Sequence, residues 1–207
     1  MANFYKTTNT KRSNMKTSIT TPGSKADGIP VYSKAEKIER RALGLPACKP
    51  APSGIIKRLP KDRKLAAKKA ISEPKVLNEA PEYGAAFVRG LRVDLPGGVT
   101  HLFLSGTASV GPAGETLYPG DFRAQLWRTY HNLTGLLASE GATWHDIVRT
   151  TCYLRDIERD YNEFNSVRNE FFRALGLTPF PASTAVQARI CRSDLLVEIE
   201  AIAILTK

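Results

Sequence analysis

The segment that most constrains this chain is its final apolar run, residues 196–205, Leu-Val-Glu-Ile-Glu-Ala-Ile-Ala-Ile-Leu. Its β-branched content and its length mark a strand. Glu198 and Glu200 have one residue between them and so point to the same side of that strand. From Ile199 to Ile204 the run is nonetheless apolar on both faces. Such a strand belongs inside a sheet that needs cover on each side.

Two helix patterns precede it. Asp121 caps the first, with Phe122, Leu126, Tyr130, Leu133 and Leu137 on one stripe and Gly141 as its stop. Asp156 opens the second, whose stripe is Phe164, Val167, Phe171 and Leu175, with Gly176, Pro179 and Pro181 ending it. Strands are expected over residues 85–93 and 101–105, joined across Asp94-Leu-Pro-Gly-Gly98, and over 146–155 and 183–190. Gly111-Pro-Ala-Gly114 lacks the lysine and the strand–loop–helix setting of a phosphate-binding loop and reads as a turn. The order is β-β-α-β-α-β-β, an α+β layer with two helices on one face of a mixed sheet. One pair of helices leaves the other face uncovered, which predicts an oligomer.

Charge divides the chain in two. Residues 1–75 hold 18 Lys and Arg against 5 Asp and Glu, a net of +13; residues 76–207 hold 12 against 15, a net of −3. The +10 of the whole therefore belongs to an arm, expected to be largely irregular, and not to the mildly acidic domain that follows it. Within the arm, Ser33 and Glu36 form a capping-box pattern before a short helix near residues 34–43, closed by Gly44. A proline-rich connector and a second basic run, Lys57 to Lys69 with Ile55, Ile56, Leu59 and Leu65 around it, follow. No aromatic residue separates the basic ones after Tyr32, which argues against nucleic acid as the partner. A larger assembly or an acidic partner is the expected target, with a strap on its own oligomer as the other reading.

No stretch of about 18 apolar residues reads as a membrane span. Cys48, Cys152 and Cys191 are too dispersed for a disulfide framework and read as reduced thiols. No secretory h-region follows the first basic residues, so the expected compartment is the cytoplasm, with an organellar signal as the alternative. His101, His131 and His145 lack ligand spacing, so neither a metal nor a cofactor is expected. Trp127 and Trp144 read as packing residues, and Gln125 and Asn132 as loop or interface contacts.

Leu104-Ser-Gly106, Asp146-Ile-Val-Arg-Thr-Thr151, Phe164 to Phe172, Phe180-Pro-Ala182 and Val197-Glu-Ile-Glu-Ala-Ile-Ala203 resemble, in order, successive signatures of the Rid (RidA/YjgF) family. The resemblance implies a chorismate-mutase-like fold, a homotrimer, and small-molecule clefts at subunit interfaces. It implies hydrolysis of reactive imines and enamines, such as 2-aminoacrylate, without metal or cofactor. Matching positions make Glu198 the glutamate that positions the attacking water, and place Phe87, Ser105, Gly106, Ser183 and Ala185 around the ligand.

Several of these depart from the family. Phe87 stands where many members have tyrosine, and Ala185 where some have cysteine. Ser183 stands where the family holds the substrate carboxylate with an arginine, and a serine offers no charged fork. Losing such a pair costs about 2–5 kcal/mol of affinity. Arg189 shares the facing of Ser183 but is about 20 Å along the strand; Arg89 and Arg123 are the other candidates to replace it. Two functions stand open: a hydrolase that is a poor 2-aminoacrylate deaminase, or a non-catalytic trimeric binding or assembly protein that docks through its arm.

Overall fold

The computed structural model describes residues 33–44 and 66–206, in two separate units, Met1–Arg63 and Lys64–Lys207. The first 30 residues, expected to be irregular, the proline-rich connector, Cys48, and the basic run as far as Leu65 lie outside the described residues. In the first unit the capping box forms as expected. The Ser33 hydroxyl accepts from the Glu36 amide at 3.2 Å, and the Glu36 carboxylate accepts from the Ser33 amide at 2.6 Å. The helix they start, α1, spans Lys34–Ala42 and buries none of its residues.

The second unit is one six-stranded mixed sheet with two helices on one face. Its elements are β1 (Ala67–Ile71), β2 (Gly90–Leu95), β3 (Val99–Ala108), α2 (Phe122–Ala138), β4 (Ile147–Leu154), α3 (Ile157–Ala174), β5 (Ala182–Gln187) and β6 (Val197–Thr206). The strand order is β1-β2-β3-β6-β4-β5, antiparallel throughout except for the parallel pair β4 and β5. The long final strand lies between β3 and β4, the interior position its two apolar faces require.

The core lies between sheet and helices. Leu102 and Leu104 of β3, Cys152 and Leu154 of β4, and Val197, Ile199, Ala201 and Ala203 of β6 meet the helices there. From α2 the whole expected stripe is buried. On α3, Phe164 and Val167 are buried as expected, but Leu175 is 38% exposed and Phe172 takes its place. The helix ends at Ala174, so Leu175 is its C-cap and has left the stripe. Phe171 stacks on Tyr130 with centroids 4.5 Å apart and a 9° interplanar angle, while Trp127 and Trp144 meet Phe171 edge-on. Both tryptophans are packing residues.

Two expectations need correction. The first strand begins at Gly90, and residues 85–89 are irregular. Residues 67–71, read as part of the arm, form the edge strand β1, with Ile71 opposite Gly90 and Ala67 opposite Asp94. Its sequence, Ala-Lys-Lys-Ala-Ile, hides the strand because an edge strand with one buried residue has no apolar alternation to show. Lys69 pairs with Glu140 at 2.9 Å, and Arg92 reaches the same carboxylate at 3.2 Å.

The face opposite the helices stays open in a single copy. Phe103 and Val186 are 42% and 39% exposed there, beside the half-buried Ile202 and Ile204. No helix among the described residues is long and apolar enough to cross a membrane.

Candidate functional site

On β6 the buried residues Val197, Ile199 and Ala201 face the helices, which turns Glu198 and Glu200 to the open face. The ladder between β3 and β6 is interrupted between Leu104 and Thr107, and Gly106 falls within that irregularity. A β-carbon on Gly106 would lie 2.0 Å from Glu198 Oε1 and 2.9 Å from its Cδ. Only glycine leaves the carboxylate its place.

Glu198 lines a cavity of about 560 Å³ with Tyr83, Ala85, Phe87, Arg89, Gly106, Ala108, Val110, Cys191, Arg192 and Leu195. Burial pushes its carboxyl above the ordinary range, the neighbouring Glu200 pushes it further, and Arg89 opposes both. The walls come from the end of β3 and from the segments before β2 and before β6, and polar side chains hold each one in place. Gln125 of α2 donates to the carbonyls of Tyr118 and Asp194, at 3.1 and 2.8 Å, and accepts from the Leu196 amide at 2.8 Å. Asn132 donates to the carbonyls of Ala108 and Val110 at 2.9 and 2.8 Å. Both are the loop contacts expected. Arg155 donates to the carbonyls of Leu195, Ile190 and Arg192, fastening the segment before β6.

The third wall is the segment before β2. Ser105 fixes it: its hydroxyl donates to the Val88 carbonyl at 2.7 Å and its amide to the Arg89 carbonyl at 3.0 Å. Ser105 itself lines a second cavity of about 350 Å³, on the open face, with Arg149, Thr151 and Glu200. Glu200 also stands beside Tyr153, whose hydroxyl is pushed up by burial and by that carboxylate.

Arg89 is buried, donating to the Asn78 carbonyl at 2.6 Å and to its side-chain oxygen at 2.9 Å. Its guanidinium lies 5.6 Å from the ring centroids of both Tyr83 and Phe87. Arg192 lies 6.0 Å from the Tyr83 centroid and donates to the Gly114 carbonyl at 2.6 Å. Arg123, the other arginine weighed as a replacement, pairs with Glu170 at 2.6 Å and does not line the cavity.

Ser183 and Ala185 lie elsewhere. They are opposite Thr150 and Cys152 on β4, on the helix-facing side of the sheet. Ser183 Oγ accepts from Thr150 Oγ1 at 3.0 Å and lies 3.4 Å from Arg168 Nη1. Arg168 belongs to α3 and stacks over Phe164, 4.9 Å from the ring centroid. Burial pushes the Cys152 thiol up, as befits an inert core cysteine. Within one copy, then, Phe87, Gly106 and Glu198 come together, Ser105 props their wall, and Ser183 and Ala185 are on the other side. Among the described residues no three His, Cys, Asp or Glu converge on a point where a metal ion would sit.

The family profile described as Endoribonuclease L-PSP matches residues 78–205. The chain belongs to that family. A RutC family protein of Pyrococcus abyssi is 32% identical over 102 residues, 49% of this chain and 76% of that protein. The 2-iminobutanoate/2-iminopropanoate deaminase of Escherichia coli is 33% identical over 104 residues, 50% of this chain and 78% of the enzyme. The crystal structure of the Escherichia coli YjgF gene product superimposes with a TM-score of 0.54 and 31% identity, covering 65% of this chain and 97% of that one. These relatives place the chain in the Rid (RidA/YjgF) group that its motifs resemble. The L-PSP match begins at Asn78, so α1 and β1 both lie outside it.

Proposed function

We propose that this family member is a trimer that hydrolyses an imine or enamine in clefts between its copies, with Glu198 as the catalytic residue. The observation that carries the reading is Glu198 itself, a carboxylate of raised pKa held over a glycine in a cavity with an aromatic wall. A carboxyl that exchanges its proton nearer neutrality suits a general base. Water adds to the carbon of the C=N bond while Glu198 takes its proton. The carbinolamine then loses ammonia, the proton returning to the leaving nitrogen, and a C=O bond replaces C=N. The deaminase named among the relatives supports this class of reaction.

The same geometry supports the trimer. Ser183 and Ala185 reach such a cleft only from a neighbouring copy, because in their own chain they lie across the sheet from Glu198. The open face with Phe103 and Val186 would be covered in the same assembly. Light scattering should give three copies, and a stable monomer would remove the cleft altogether.

With Ser183 in the arginine position, turnover of 2-aminoacrylate should be slow. The enamine can be generated with a serine dehydratase and its decay followed with and without the protein. Ser183→Arg should accelerate that decay; a wild-type rate equal to that of an arginine-containing relative overturns the argument. The same departure supports the second reading, a trimeric hub whose basic arm docks on an acidic partner. That association would weaken with salt, because exposed charges are screened over about 8 Å at physiological ionic strength.

A further inference from the structure

Glu198 is not the only carboxylate that β6 turns to the open face. Glu200 follows it by one residue, so the two backbone positions stand about 7 Å apart along the strand, inside the roughly 8 Å over which salt screens exposed charges. They open on different spaces, Glu198 on the larger cavity and Glu200 on the smaller one with Ser105, Arg149 and Thr151. β4 runs beside them in register, Tyr153 opposite Glu198 and Thr151 opposite Glu200. The Tyr153 hydroxyl reaches diagonally past Glu198 and hydrogen-bonds Glu200. Charged groups are divided unevenly between the two. Arg89 and Arg192 line the Glu198 cavity from the segments before β2 and β6, with Tyr83 and Cys191, and β3 brings only Gly106 and Ala108 to it. Glu200 has Arg149 in its own cavity, but that guanidinium lies 3.5 Å from Thr184 Oγ1, and among the described residues no ion pair joins it to Glu200. His101, on the same face of β3, lies further along, opposite Ile204. Glu200 therefore turns an unneutralised charge toward Glu198. A like charge so placed favours the protonated form of its neighbour, and burial acts on Glu198 in the same sense.

We propose that Tyr153 and Glu200 are a positioning pair for Glu198: the Tyr153 hydroxyl holds the Glu200 carboxylate in place, and that fixed negative charge makes Glu198 the carboxyl that carries and passes the proton. The inference rests on the reading of Glu198 as the catalytic residue and names what prepares it. Two carboxyls in different surroundings divide the work, one exchanging a proton while the other stays charged. Tyr153 and Glu200 act through Glu198, from the cavity on the other side of it.

Carbon-13 NMR on the full chain, labelled at the glutamate δ-carbons, follows each carboxyl through a pH titration, and Glu198→Gln identifies the Glu198 signal by its loss. In Glu200→Gln, which keeps the shape and removes the charge, the Glu198 signal should titrate at lower pH than in the wild type. Tyr153→Phe frees the Glu200 side chain to turn toward solvent and should move the Glu198 signal the same way, by a smaller amount. The Glu140 signal, held by Lys69 and Arg92, should stay where it is in both variants. On an imine that the wild type hydrolyses, the acid limb of the kcat/KM profile should shift with the Glu198 signal, whereas a merely structural role would lower the rate and leave the limb in place. A Glu198 signal unmoved in either variant overturns the pair, as does a matching movement of Glu140, which would trace the change to the whole sheet. Should Glu200→Gln fail to fold, Tyr153→Phe decides by the same titration. The titration is read without turnover, so a coupled pair in a protein that hydrolyses no imine would refute the proposed reaction and leave the coupling standing.

Discussion

Gly106→Ala separates the work of Glu198 from the stability of the sheet. The added carbon would stand 2.0 Å from Oε1, whereas ordinary contact begins near 3.4 Å, so the oxygen must retreat by about 1.4 Å. The three atoms met, Oε1, Cδ and Cγ, all belong to the Glu198 side chain, with the closest at its movable end. The fold can therefore accommodate the methyl group, and the cost to stability should stay within about 1 kcal/mol, the low end for overpacking. Catalysis is less tolerant: a displacement of about 1 Å at a reacting group costs on the order of a hundredfold. The variant should show a nearly unchanged urea midpoint and a roughly hundredfold lower rate on whichever imine the wild type hydrolyses. In a Glu198→Ala background the same substitution should have no further effect on rate. Turnover within threefold of wild type would mean that the carboxylate position does not matter, and would sink the role given to Glu198.

Three other outcomes follow from the structure. Because the folded protein holds the Glu198 proton above the ordinary carboxylate range, stability falls as pH rises from that range through the raised value, and the penalty persists above it. Glu198→Gln should therefore melt higher than wild type near pH 8, with the gain vanishing below about pH 4; a pH-independent difference would contradict the linkage. Gln125→Leu strips partners from the buried Leu196 amide and two carbonyls, and should cost about 2–4 kcal/mol in urea denaturation, with little change on denaturation arguing that water replaces them. Removing residues 1–63 should leave the melting temperature of the second unit unchanged, whereas removing residues 1–75 takes away β1 and the buried Ile71, a loss of roughly 1.5–3 kcal/mol; equal effects would mean that β1 adds nothing.

Elements with a strong local signal were legible in the sequence. Asp121 and Asp156 accept from the amides of Ala124 and Arg159 as N-caps should, and the α2 stripe is buried to the last residue expected. β1 was not legible, because four of its five residues are exposed and its partner is distant in sequence. Of the residues lining the Glu198 cavity, Phe87, Gly106 and Glu198 itself could be named from motif positions. The place of Arg192 could not, because it depends on Arg155 and Gln125 holding a loop by its carbonyls, and sequence pattern carries no trace of such tertiary bonds. Arg168 was missed for a similar reason: it meets Ser183 only because α3 packs over β4 and β5.

The lysine-bearing edge strand also governs where the sheet opens first. With Ile71 as its sole buried residue, β1 should exchange its amide protons through local opening, well before those of β3, β6 and β4 at the centre. Each such opening leaves β2 as the new edge, and β2 presents Arg92 and Asp94, already paired at 2.8 Å, on that strand. On this side, a sheet that loses one charged border meets the solvent with another, so a passing chain finds no flat apolar edge there on which to add a strand.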